Sequence, residues 1–411
     1  MDWIDEQARA ARVVRAPRLH CRDVSRDSTC DDSPGSVTAV TDHEPRRSPL
    51  HAEHEALDAR FAEFGGWLMP LQYRGVVEEH TAVRERVGLF DVSHLGTVEV
   101  AGPGTTSALN ACLSNDLDRI GAGQAQYTLA CDDATGGVVD DLIVYRRSDE
   151  HCTLVPNAAN AAEVVRRLRA ALPDEVVVTD RHTEVAILAV QGPSSDTLLD
   201  RLGLTALAGS PAMTFQDAFM APSAPPRRIP VTVCRTGYTG ERGVELLVPA
   251  ADAPAVWTTL LAAGDDLGLS PCGLAARDTL RTEMGYPLHG QDLSLAITPV
   301  QARLGWAVGW SKAQFWGRVP LLAERAAGPR RRLLGLRADG RAIPRPGMTV
   351  TAGGRACGSV TSGTFSPTLR VGIGLALLDD PLGPGDAVEV DVRGRPAAFA
   401  VVKPPFVPAR T

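Results

Sequence analysis

The sequence predicts a mixed α+β chain that ends in a small all-β domain. Asn160 to Leu172 places Val164, Val165, Leu168, Ala171 and Leu172 on one helical face, with Arg166, Arg167 and Arg169 turned away from it. Apolar runs at Val138–Tyr145, Glu184–Val190, Val231–Cys234 and Val244–Val248 read as strands. They are separated by turns and helices of uneven length, so a doubly wound parallel sheet is not favoured. Past Pro329 the runs shorten to Leu333–Leu336, Met348–Thr351, Ala356–Thr361, Val371–Leu378, Val388–Val392 and Ala398–Val402, punctuated by Gly353-Gly354, Gly383-Pro384-Gly385 and Arg393-Gly394.

In chain order, residues 1–47 mix Arg, Asp, Ser and Pro without apolar periodicity. They lack the apolar centre of a secretory signal and are too acidic for a transit peptide. The segment reads as a disordered extension, or as residues upstream of the true start. Residues 48–320 carry the mixed helices and strands, and residues 330–411 the β domain. Within the former, Pro271–Met284 suits a helix that begins after a proline and stops at Gly285.

The 411 residues allow two or three domains at about 150 each, and 44% hydrophobic residues suffice for sizeable cores. Lys plus Arg total 42 against 49 Asp plus Glu, a formal charge of -7. That balance argues against a broad footprint for nucleic acid or an anionic membrane. No apolar run approaches the ~20 residues that span a bilayer. The eight cysteines are scattered with no CxxC pair and no zinc-type spacing, as expected for reduced thiols in a cytoplasmic protein without a metal site.

Nucleotide, dinucleotide, zinc-protease and serine-hydrolase signatures are absent. Three segments carry polar residues in apolar, glycine-rich surroundings. In GGVVDDLIVY (Gly136 to Tyr145), Asp140 and Asp141 point to opposite faces of a strand, so only one can enter a given pocket. A carboxylate there needs a partner or a function; a strand end whose Asp caps a loop fits equally. In RTGYTGERGVEL (Arg235 to Leu246), Glu245 stands between Val244 and Leu246. A carboxylate so placed can accept two hydrogen bonds from the N–H pair of a flat heterocycle, with Tyr238 stacked alongside. A hairpin with a solvent-facing Glu is the plainer alternative. Arg277 and Asp278 lie together in the Pro271–Met284 helix, where an ordinary ion pair is the simplest reading. His94, in FDVSHL, suits either an acid–base or a structural role.

Taken together these runs resemble the aminomethyltransferase, or T protein, of the glycine cleavage system. The resemblance extends from SPL at Ser48 through FxxFGGWxMPLQY (Phe61 to Tyr73), GLFDVSHL (Gly88 to Leu95), SND (Ser114 to Asp116), QYTL (Gln126 to Leu129) and GGVVDDLIVY. It continues through NAAN (Asn157 to Asn160), QGP (Gln191 to Pro193), RTGYTGE, AARDTLR (Ala275 to Arg281), LGWAV (Leu304 to Val308), TSGTFSPTL (Thr361 to Leu369) and KPPF (Lys403 to Phe406).

The resemblance implies an α+β fold of three domains in a ring around a central folate site: two mixed domains with exchanged segments and a barrel-like β domain. It implies transfer of the one-carbon unit of an aminomethyl group from lipoylated H protein to tetrahydrofolate, with release of ammonia. Asp141 falls on the catalytic carboxylate, Glu245 on the pterin-binding glutamate, Tyr238 on the matching tyrosine and Arg277 on the folate-site arginine. Leu95, Tyr127, Tyr145, Asn157, Tyr286 and Trp306 fall on pocket positions. The resemblance requires no metal.

Some positions depart from the pattern: Leu95 stands for a usual Met, Thr282 for Leu, His289 for Tyr, Arg242 for Asp and Pro156 for Val. Pro156 is expected to remove a donor from the strand edge near Asn157. Two other activities share the fold: a folate-dependent demethylase of a small methylated compound, and an accessory folate-binding protein. The intact GGVVDDLIVY and RTGYTGE blocks favour aminomethyl transfer over the first. The second carries a KGCYxGQE-type signature, where this chain has YPLHGQDLSLAITP (Tyr286 to Pro299). An acidic H protein would need a local basic patch on this acidic chain, for which Arg330, Arg331 and Arg332 are the candidate.

Overall fold

The structure, a computed structural model, describes residues 44–204, 210–221, 228–379 and 381–410. Strand β1 (Arg46–Arg47), helix α1 (His51–Ala56), β2 (Arg60–Phe64) and β3 (Trp67–Gln72) come first, and the strands form a sheet of order β1-β3-β2. Residues 1–43 of the expected extension lie outside the described residues. Its boundary at 47 is corrected, because Arg46 and Arg47 pair in parallel with Trp67 and Leu68.

Next come α2 (Val76–Glu85), β4 (Val87–Asp91), β5 (Val98–Ala101), α3 (Thr105–Cys112), β6 (Gln124–Cys131), β7 (Val138–Ser148), β8 (His151–Val155), α4 (Ala161–Ala171), β9 (Val177–Asp180) and β10 (Val185–Gln191). They are followed by α5 (Ser195–Arg201), β11 (Phe215–Met220), β12 (Ile229–Cys234), β13 (Gly243–Pro249), α6 (Ala253–Gly264), β14 (Leu269–Cys272) and α7 (Leu274–Met284). After β4 the chain leaves one sheet, builds a second of order β6-β7-β8-β5-β9, and returns at β10 to complete the first as β11-β12-β13-β10-β4-β14. That excursion is the exchange of segments between two mixed domains. Most pairings are antiparallel, with β14 parallel to β4.

Alternation along the strands fixes which side chains face which layer. On β10, Leu188 and Val190 join Leu198, Leu199, Val256, Trp257 and Leu260 in a core under α5 and α6. Ile187 and Ala189 face the other way, into a core shared with Tyr145 and Ala125 of the second sheet. Leu142 and Val144 of β7 meet α3 and α4 on its outer side. The two sheets are therefore the inner layers and the helices the outer ones. Pro156 lies one residue beyond the end of β8, whose last partner pair is Ile143 with Val155, so no ladder bond is lost and that expectation is corrected.

Helix α8 (Arg318–Ala327) leads into six strands, β15 (Arg331–Ala338), β16 (Thr349–Ala352), β17 (Arg355–Ser366), β18 (Val371–Asp379), β19 (Ala387–Val392) and β20 (Arg395–Val402). They close into a barrel of order β15-β18-β17-β16-β19-β20 around Leu336, Val350, Ala376, Val390 and Phe399.

Helix α7 joins the barrel to the sheets. It starts at Gly273 and stops where Gly285 takes φ 68°. Its Arg281 donates to Asp292 Oδ2 at 2.9 Å and to barrel Ser362 Oγ at 2.9 Å. Its Glu283 accepts from Arg84 of α2 at 2.8 Å, from Thr368 Oγ1 at 3.0 Å and from Ser366 Oγ at 2.5 Å. Arg84 also donates to Glu241 Oε1 at 2.9 Å. Burial alone would raise the Glu283 carboxyl, but the His80 hydrogen bond and charge, Ser366 and Arg84 outweigh it and hold it at about 2.

Removing one partner of such a buried cluster strands the other charge, so Glu283→Ala should cost about 3–5 kcal/mol of unfolding free energy. Arg201→Ala, which breaks an exposed pair with Asp266, should leave the denaturation midpoint nearly unchanged. The depressed Glu283 pKa means that its contribution is full above the ordinary 4.5 and is lost as pH falls towards 2. In urea melts across that window, Glu283→Gln should show a shallower fall in stability than wild type.

Candidate functional site

One cavity of about 870 Å³ opens between the two inner sheet faces, α7 and the barrel. Asp141 shares the strand parity of Ile143 and Tyr145, and Glu245 that of Leu247, so both carboxylates enter the space between the sheets, one from each side. Of the ten residues that the resemblance places at the site, nine line this cavity: Leu95, Tyr127, Asp141, Asn157, Tyr238, Glu245, Arg277, Tyr286 and Trp306.

Tyr145 is the exception and a correction to the expected pocket set. It is buried behind the wall, with its hydroxyl 3.0 Å from Thr236 Oγ1. Thr236 uses its single hydrogen on Glu245 Oε2 at 2.5 Å, so the tyrosine is the donor in that pair. Sequence reading passed over Thr236, which fixes the glutamate. Its signal is a polar side chain in the RTGYTGE turn, where Gly237 leaves room for the Gln191 amide: a Cβ there would lie 2.2 Å from Gln191 Oε1.

Glu245 is 9% exposed, which corrects the solvent-facing alternative. Thr236 engages one of its oxygens, and among the described residues no donor bonds to Oε1. Arg277 stands over the Tyr238 ring with its guanidinium carbon 4.6 Å from the centroid, and its Nη1 is buried without a hydrogen-bond partner. The ordinary pairing expected of Arg277 and Asp278 is corrected as well: Asp278 accepts from Arg281, at 2.8 Å from Nε. An acceptor and a donor are thus left open in the cavity wall beside an aromatic face. Tyr238 is held by its hydroxyl donating to Pro287 O, and Tyr286 lies 5.7 Å from it at 30°.

Across the cavity, Tyr127 Oη donates to Asp141 Oδ2 at 3.0 Å and Asn157 Nδ2 to Asp141 Oδ1 at 2.9 Å. Trp306, 63% exposed, stacks on Tyr127 with centroids 5.4 Å apart and forms the rim. Burial raises the Asp141 pKa, and it raises that of Tyr127 well above the usual phenol range. The start of β7 is clamped by the loop after α7: Gly137 has no room for a Cβ, which would meet Leu295 O at 1.9 Å, and Val138 N–H donates to Ser294 O at 2.9 Å.

His94 also lines the cavity; burial and the Arg277 charge push its pKa down to about 3, so its ring is neutral. Arg303 and Arg345 reach the cavity from beyond the sheets, which no local pattern announces. The departures are accommodated: Arg242 pairs with Asp196, and Thr282 Oγ1 donates to Asp278 O at 2.7 Å. Of the arginine triplet, Arg331 donates within the chain to Gln301 Oε1 at 3.0 Å and to Ala296 O at 2.7 Å.

Among the described residues no cluster of His, Cys, Asp and Glu is disposed to hold a metal ion, and no helix is long and apolar enough to cross a membrane. The arrangement is that of a ligand-binding pocket: two carboxylates on opposite walls, a buried guanidinium nitrogen without a partner and stacked aromatic rings. The GCVT N-terminal domain family matches residues 50–312, and the glycine cleavage T-protein C-terminal barrel domain matches residues 331–408. The chain is 63% identical over 367 residues to an aminomethyltransferase of Frankia alni, covering 89% of this chain and 98% of that protein. It is 56% identical over 365 residues to one from Mycobacterium tuberculosis, covering 88% and 97%. The crystal structure of glycine cleavage system aminomethyltransferase T from Bartonella henselae superposes with a TM-score of 0.81 at 34% identity, covering 89% of this chain and 99% of that one. The chain belongs to the glycine cleavage T-protein family, and its activity is aminomethyl transfer.

Tyr145→Phe removes only the donor behind Thr236. It should cost about 1 kcal/mol in thermal or urea unfolding and leave the Thr236–Glu245 bond in place; a loss several times larger would show that the hydroxyl holds more than Thr236.

Proposed function

We propose that the cavity takes tetrahydrofolate as the acceptor and that the aminomethyl donor arrives on the lipoyl arm of an H protein. The observation that carries this reading is the unsatisfied pair in the wall, Glu245 Oε1 and Arg277 Nη1, beside the Tyr238 ring. A pterin presents an N–H pair, an acceptor and a flat face in one plane, which this set complements.

The folate supplies two nucleophilic nitrogens. In the overall reaction the C–S and C–N bonds of the S–CH2–NH2 group break and two C–N bonds to folate form. The two folate N–H protons end on the lipoyl sulfur and on ammonia. Asp141, held by Tyr127 and Asn157, orients the attacking nitrogen, accepts its proton and returns one as ammonia leaves. Burial raises its pKa, which makes it a stronger base when ionised. Glu245 and Arg277 orient the ring, and the wall of Leu95, Ile143 and Val155 excludes water from the electrophilic carbon. The six described cysteines are free thiols, in keeping with a cytoplasmic setting.

The test follows ammonia and methylenetetrahydrofolate from aminomethylated H protein plus tetrahydrofolate. Asp141→Asn should lower turnover by about 100-fold or more with folate binding largely kept. Glu245→Ala should instead weaken folate binding by about 10- to 100-fold, the loss of a charged hydrogen-bond acceptor. Folate binding without this activity in the wild type would move the demethylase or accessory reading ahead.

A further inference from the structure

Asp140, the neighbour of Asp141, points to the outer side of its sheet and lies outside the cavity, yet it is fully buried. Among the described residues no cation pairs with it. Its Oδ2 accepts from the Asn157 backbone N–H at 3.0 Å, and its Oδ1 from Asn157 Nδ2 at 2.9 Å and Asn160 Nδ2 at 2.7 Å. The Asn157 amide has two hydrogens but three acceptors at 2.9 Å: Asp140 Oδ1, Asp141 Oδ1 and Asp141 O. One side-chain amide is therefore divided between both carboxylates.

Asn160 stands at the N-cap of α4, where an Asn normally caps the first turn, but its side chain makes no capping bond. It is committed to Asp140 and to His289 Nδ1 at 3.0 Å. His289 Nε2 in turn lies 3.2 Å from Val138 O, a carbonyl that can only accept, so the ring carries its proton on Nε2 and receives Asn160 on Nδ1. A chain of fixed hydrogen bonds runs from the β7 backbone through His289, Asn160, Asp140 and Asn157 to Asp141. A helix cap has been given up to complete it.

We propose that Asp140 is a positioning residue for the transfer: through Asn157 it fixes the orientation in which the Asp141 carboxylate meets the substrate. The inference rests on the reading of Asp141 as the catalytic carboxylate. The groups facing the pair are Tyr127 from β6, Tyr238 from the RTGYTGE turn and His289 from the loop after α7. Burial and the Asp141 charge push Asp140 up to about 8, so the two carboxylates titrate as a unit.

The experiment measures kcat, folate KM and the pH profile of kcat for Asp140→Asn and Asn160→Ala, with Asp141→Asn in parallel and melting curves for each. Asp140→Asn should lower kcat by about 10- to 100-fold with folate KM little changed, and should abolish the ionisation near 8 from the profile. Asn160→Ala withdraws a donor that favours the charged form, so it should lower kcat less and move that ionisation upward. If Asp140→Asn fails to fold, Asn160→Ala decides alone. Wild-type kcat and profile in these variants, while Asp141→Asn is inactive, would overturn the inference, as would activity lost only in proportion to folded protein. Undiminished turnover in Asp141→Asn would overturn instead the reading on which it rests.

Discussion

The buried ionic clasp of α7 is the constraint on which the rest of the molecule depends. Arg281 and Glu283 lie on a helix whose surroundings exclude water, so each charge must be matched within the protein. Their partners, Arg84, Asp292, Ser362, Ser366 and Thr368, come from α2, the loop after α7 and the barrel. Satisfying those two side chains draws the barrel onto the sheets and closes the cavity. The same helix carries Arg277 into the cavity wall, so domain assembly and ligand recognition are set by one element.

The second constraint is the two-residue period of the strands. Because neighbouring side chains face opposite layers, one register places Asp141 and Glu245 between the sheets and sends Asp140 outward towards the start of α4. A one-residue slip would put Asp140 or Leu142 in the place of Asp141, and Val244 or Leu246 in the place of Glu245. The clamp of the loop after α7 on Gly137 and Val138 holds that register just ahead of the two aspartates.

Several polar groups are committed in ways that stability alone does not favour. Asn160 gives up a helix cap, Arg277 Nη1 is buried without a partner, and two adjacent carboxylates share one amide. Such choices gather around the cavity, where the surroundings must be fixed before a substrate arrives.

The sequence by itself determined what local physics determines. Helical spacing at 160–172, strand runs such as Val138–Tyr145, the stop at Gly285 and the glycine-punctuated barrel strands were all legible, because each depends on neighbours a few residues away. Asp141 and Glu245 stood out as carboxylates in apolar strands. Only the tertiary structure decided that Tyr145 stands behind the wall, that Thr236 fixes Glu245, that Asp278 serves Arg281 and that Arg303 and Arg345 reach the cavity. It also paired Arg46 and Arg47 with Trp67 and Leu68. Those facts depend on which distant segments meet, and contacts between residues such as Arg84 and Glu283, 199 positions apart, leave no periodic trace in the chain.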